Sequence, residues 1–192
     1  MRVIFALMLA IVTSSSFAQF DGMSPESRIK KDGLALIALI RNSFKGVKRV
    51  NGVSWSESVV LDDYGTMEER LAARSKDKEK DWTSLVEDRL WNPATGVGGW
   101  SFLDAIGFRY YLPAEMIRSV RRGYSDSLAF HLTLQKGEMK NYCLEQWARL
   151  DASQRACVKK FVIYMMKVSD DFSRKEWEEA FGSYWSSQKT SK

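Results

Sequence analysis

The dominant hydrophobic period along this chain is that of an α-helix. Ile29, Leu36, Ile37 and Ile40 share a face, and the run continues to Phe44 before Gly46 offers a stop. Ser24 ahead of Pro25 supplies a side-chain cap followed by a proline at the first helical position, where no backbone donor is lost. Residues 46–61, "GVKRVNGVSWSESVVL", lack this rhythm and predict a loop with at most a short strand. Thr66 with Glu69 forms a capping box that opens a helix, and Asp81 caps another in which Trp82, Leu85, Val86 and Leu90 share a face.

"WNPATGVGG", residues 91–99, holds one proline and three glycines and reads as a hinge loop, too short for a domain linker. Beyond it, Ser101 and Asp104 cap a short helix, Pro113 opens the next with Glu115 near its positive end, and Gly123 terminates it. A helix is expected over Ser125 to Leu134. Met139, Cys143, Trp147 and Leu150 then line one amphipathic helix, and Cys157, Phe161, Tyr164, Met165 and Val168 line another. Asp151 and Gln154 make a capping box at their junction, and Ser173 and Glu176 make one for a last helix carrying Trp177, Phe181 and Trp185. The predicted architecture is all-α: an irregular bundle of about six to eight helices in one domain.

The N-terminus is read apart from the fold. Arg2, the apolar run Val3 to Val12, and small Ser16 and Ala18 before Gln19 have the order of a signal peptide, residues 1–18. The run is too short for ~30 Å of hydrocarbon, so no stable membrane anchor is expected after cleavage. The mature chain, residues 19–192, would be 174 residues (192 − 18), periplasmic or secreted, and large enough to bury a core without a metal or staple.

Loss of Arg2 lowers the formal charge from +5 to +4. The excess is spread through mixed-sign segments such as "RSKDKEKD" (74–81), which excludes the concentrated basic stripe of a nucleic-acid binder. Two groups remain as candidate docking patches: Lys45, Lys48 and Arg49, and the trio Arg118, Arg121 and Arg122, whose spacing gathers them on one helix face.

The two cysteines, Cys143 and Cys157, stand seven residues to either side of a turn at residue 150, at similar height in an antiparallel hairpin. They are either a disulfide, which export would permit, or two small buried hydrophobes. With one histidine, His131, the chain cannot assemble a four-ligand zinc site from Cys and His alone, and no metal or cofactor is expected.

"FLDAIGFRYYLPAEM" (102–116), followed by "LDASQRACVKKFVIYM" (150–165), resembles a bacterial family of unknown function. The resemblance runs roughly from Trp82 to Met165. It implies no transferable activity, and since such chains mostly lack an export signal, the signal here is a departure.

Within the first block Arg109, beside Tyr110 and Tyr111, is the residue without a structural role. A buried guanidinium must be paired, and "DDYGTMEER" (62–70) offers Asp62, Asp63, Glu68 and Glu69. The expected cluster either fixes helix docking or, with the tyrosine hydroxyls, receives an anionic group. Paired carboxylates, Asp104 with Glu115 or Asp63 with Glu69, are the raw material of an envelope glycan hydrolase. No Gly-x-Ser-x-Gly elbow accompanies His131. The absence of a catalytic signature favours a binding or interaction module with a protein partner.

Overall fold

A computed structural model describes residues 24–77, 81–93, 98–125 and 127–189; the expected signal peptide, residues 1–18, lies outside them. Among the described residues there are eight α-helices and no strand: α1 (Pro25–Ser43), α2 (Trp55–Asp62), α3 (Met67–Arg74), α4 (Ala105–Arg122), α5 (Leu128–Leu132), α6 (Met139–Gln146), α7 (Ala152–Val168) and α8 (Asp171–Ser183). Single 3-10 turns stand at Trp82–Val86, Gly99–Phe102 and Trp185–Ser187.

The centre of the molecule is α4, twelve of whose eighteen residues are buried. A helix buried around most of its circumference must be packed on several sides, and α4 touches α1, α6 and the Trp82–Val86 turn. Asp104 caps it, its carboxylate accepting from the Gly107 amide, and Gly123 closes it at φ 80°. Pro113 does not start a helix; it lies inside α4. An interior proline costs about 3 kcal/mol in an isolated helix, but here the flanking Leu112 and Ala114 are wholly buried, so packing holds the helical path through the missing bond.

The segment expected to be a loop carries α2. Ser54 and Glu57 form a reciprocal capping box, Ser54 Oγ accepting from the Glu57 amide and the Glu57 carboxylate from the Ser54 amide. Gly52 and Gly107 allow this segment to lie on the start of α4: a Cβ on Gly107 would stand 2.5 Å from the Val53 carbonyl oxygen. The helix expected after Asp81 shrinks to the Trp82–Val86 turn. Asp88 then accepts from the Leu90 amide, the chain leaves helical phase, and Leu90 points outward at 93% exposure.

α1 packs on α4 and α7, α7 on α8, and α8 on α5. Three indoles tie segments distant in sequence: Trp82 Nε1 donates to Phe44 O, Trp147 Nε1 to His131 O and Trp185 Nε1 to Leu132 O. α8 starts one turn earlier than Ser173, because Asp170 is the cap and the Ser173 amide donates to it. No helix among the described residues is long and apolar enough to cross a membrane.

Candidate functional site

Arg109 does not meet the acids of residues 62–70. Its Nε donates to Gln154 Oε1 at 2.9 Å, and Asp151 of the α7 cap lies 3.8 Å from its guanidinium. The proposed partners are used elsewhere. Asp62 accepts from the Gly98 amide, Glu69 completes the α3 capping box, and Asp63 and Glu68 are exposed. Thr66, mainly through its backbone N–H, holds the Glu69 carboxyl below its ordinary value.

The buried cluster that does join α2 and α3 is centred on Glu57, 2% exposed, which Arg70 approaches at 3.0 Å and Arg74 at 2.6 Å. Burial pushes its carboxyl up, but Arg74, the Ser54 amide and Arg70 outweigh that and hold it below the ordinary value. Ser54-x-x-Glu57 is the sequence signal of this helix start, hidden in a stretch whose glycine and asparagine suggest a loop.

Tyr110 and Tyr111 are both buried, with rings edge to face at 5.0 Å. The Tyr111 hydroxyl accepts from the Trp55 amide at 2.9 Å. Its ring stacks on Trp91 and meets Trp55 edge on, and together the three form the aromatic floor of a cleft of about 670 Å³. Val59, Leu85 and Leu90 extend the apolar surface, while Ser56, Lys76, Asp77, Ser84, Asp88 and Asn92 supply the polar rim. Of the expected triplet, therefore, only Tyr111 reaches this cleft. A ligand pocket usually lies between roughly 300 and 1,000 Å³ and combines apolar lining with a few polar groups, and this cleft fits both terms.

The arginine trio does share one side of α4, but that side is engaged. Arg118 Nη1 reaches Leu85, Asp88 and Trp91 carbonyl oxygens at 3.5, 3.1 and 2.8 Å, and its guanidinium lies over the Trp91 ring at 5.2 Å. Arg122 pairs with buried Glu115, and Arg121 with exposed Glu87 at 2.6 Å. Burial raises the Glu115 carboxyl against the pull of Arg122 and Arg118.

The expected acid pairs do not converge. Asp104 caps α4 and also accepts from the Val53 amide, Glu115 sits three turns on among arginines, and Glu69 is occupied by its box. Both cysteines are free thiols. α6 packs on α4 and α7 on α1 and α8, so the two do not form the expected facing hairpin. Cys143 Sγ turns to Thr133 O at 3.8 Å, whereas Cys157 bonds Ser43 of α1, and burial lifts its thiol to about 12.

Fold and cleft define a small all-α protein without a recognisable catalytic constellation among the described residues. The chain belongs to a family of unknown function, DUF6714, whose model matches residues 33–189, further in both directions than the sequence blocks alone suggest. No curated protein and no solved structure is significantly similar to it.

Proposed function

We propose that this chain is an exported binding module of a bacterial cell envelope, periplasmic or secreted, which engages a protein partner through the cleft between α2 and the segment 82–92. The observation that carries this reading is the cleft itself, about 670 Å³ with an aromatic floor, a polar rim and Leu90 standing 93% exposed beside it. An exposed leucine at the edge of an apolar floor is the geometry of a surface that receives an apolar anchor. Nucleic acid and a bound cofactor have no part in it.

A photo-reactive amino acid at position 90 of the full chain, irradiated in cells, should give a discrete protein adduct. The adduct should disappear when Trp91→Ala removes part of the floor. Diffuse labelling, or an adduct indifferent to that change, overturns the cleft as the contact. Export has its own test: the mature N-terminus should begin at Gln19, and retention of Met1 would remove the envelope from the proposal.

A glycan hydrolase has one observation in its favour, since Asp77 and Asp88 both line the cleft. Against it, both Asp77 oxygens accept from Ser56, at 2.9 and 2.6 Å, and Asp88 holds the Leu90 amide. If those acids are catalytic, release of reducing sugar from cell-wall glycan will be lost in Asp77→Asn and Asp88→Asn; if they are turn acceptors, there will be no release to lose.

A further inference from the structure

A second, smaller cavity of about 140 Å³ lies away from the cleft, where α6 meets the end of α5 and the 3-10 turn at Gly99–Phe102. Its chemistry differs from everything around it. The only histidine of the chain, His131, lines it together with Cys143 and Met139. Met139 and Cys143 stand four residues apart on α6, which puts both sulfur side chains on one face of that helix. Two bonds hold this face against His131: Cys143 Sγ reaches Thr133 O at 3.8 Å, and Trp147 Nε1 donates to His131 O at 3.3 Å.

Three of the other polar groups of the cavity are engaged, Gln135 among them, whose Nε2 donates to Thr133 O at 3.5 Å. The Tyr142 hydroxyl donates to Ser101 O, and the Gln146 amide donates to Trp100 O at 2.6 Å and Leu103 O at 3.2 Å. Beside them, with Ser101, stand an imidazole, a thiol whose one partner is the Thr133 carbonyl, and a thioether, around a space of a few atoms. The imidazole touches the Trp100 and Phe130 rings, with centroids at 6.3 and 5.2 Å, and makes no hydrogen bond among the described residues.

This donor set is selective. No carboxylate lines the cavity, and among the described residues no three His, Cys, Asp or Glu side chains gather into a metal site. Hard cations want oxygen, and structural zinc wants four nitrogen, thiolate or carboxylate ligands. Thiolate and thioether sulfur with one imidazole suit a soft monovalent ion. We propose that Cys143, Met139 and His131 form a binding site for Cu(I), in which the ion replaces the Cys143 thiol proton. That proton passes to solvent, a copper–sulfur bond forms, and the metal keeps its oxidation state. The assignment is independent of the cleft and of any protein partner.

The test is an anaerobic titration of the reduced full chain with Cu(I), in competition with a colorimetric Cu(I) chelator, alongside the ultraviolet thiolate-to-copper absorption. Wild type and Cys157→Ser should each retain one equivalent and show the band. Cys143→Ser should lose the band and weaken binding by more than the roughly 100-fold that removal of a supporting group alone can cost. Because Met139 is 51% exposed, Met139→Leu leaves the core intact and should still weaken binding, about tenfold or more. Equal affinity in wild type and Cys143→Ser, loss of binding in Cys157→Ser, an unchanged Met139→Leu variant, or no retained equivalent in wild type would each overturn the site.

Discussion

The Arg109 guanidinium closes on a neutral group, Gln154, whose side-chain oxygen accepts from Nε at 2.9 Å. The same oxygen accepts from the Asp151 amide at 3.2 Å, and Gln154 Nε2 donates to Ser43 O, also at 3.2 Å. A side chain that is 1% exposed therefore joins the end of α1, the body of α4 and the cap of α7. Removing it strands several polar groups at once. Gln154→Ala should cost about 2–3 kcal/mol, a lost capping box plus unsatisfied buried partners. Arg109→Leu should cost only about 1 kcal/mol, since one hydrogen bond and an open contact with Asp151 are lost. Chemical denaturation of both variants checks the order; an Arg109 variant as damaged as the Gln154 variant would make the guanidinium, not the amide, the keystone.

Glu57 predicts a coupling of a different size. Its two arginines are 25% and 28% exposed in their side chains while the carboxylate is almost wholly buried, so the cluster is wet on one side only. Glu57→Gln should destabilise by about 3–5 kcal/mol, because two guanidiniums lose their anion at a buried site. With Arg70 and Arg74 already replaced by methionine, the same change should cost much less. Additive costs across that cycle would show that the Glu57 carboxylate is not coupled to the two guanidiniums.

His131 makes stability depend on pH in a defined window. Burial drives its pKa from 6.5 to about 4. The unfolded chain then binds the proton first as pH falls, so the contribution is fully present above 6.5 and is lost between 6.5 and about 4. A difference of about 2.5 units corresponds to about 3 kcal/mol. Denaturation at pH 7 and pH 4 should show wild type losing about that much more stability than His131→Gln, which cannot titrate. Parallel losses in the two proteins would place the imidazole in water.

These relationships differ in how far the residues alone reveal them. Caps are local, so Ser24, Thr66, Asp104 and Asp151 mark helix starts that the structure retains, and Gly123 marks a stop. Phase is local too, until burial overrides it. Pro113 belongs to a start by its own chemistry, yet α4 passes through it because Tyr110 to Ile117 are all packed. Partners are not local. Arg109 lies about as far in sequence from the acids of residues 62–70 as from residues 151 and 154, and nothing in its neighbourhood says which helix end will face it. Tyr111 was legible as an aromatic near a possible pocket, but the cleft needed Trp55 and Trp91, and Trp55 stands on a helix that the glycine-containing segment before it conceals.

Arg118 supplies the last prediction, because it decides whether the cleft has a wall. Three carbonyls converge on one nitrogen of its guanidinium, and the plane of the group covers the Trp91 ring. The segment it holds, from Leu85 to Trp91, is otherwise fastened by short turns, the Asp88 to Leu90 bond, the exposed Arg121–Glu87 pair and the burial of Leu85, Val86 and Trp91. A lysine ammonium has donors enough for carbonyls but no planar face to lay on the indole, so it loses the contact with the Trp91 ring. Both Arg118→Lys and Arg118→Ala should therefore raise amide hydrogen exchange across residues 85–91 while α1 and α7 keep their protection. The cost to global stability should be smaller than the local effect, about 1–2 kcal/mol, since α4 retains its packing. A segment that stays protected without the guanidinium would mean that Trp91 and Leu85 hold it through apolar burial alone, and the cleft wall would then be part of the core rather than an element suspended from one side chain.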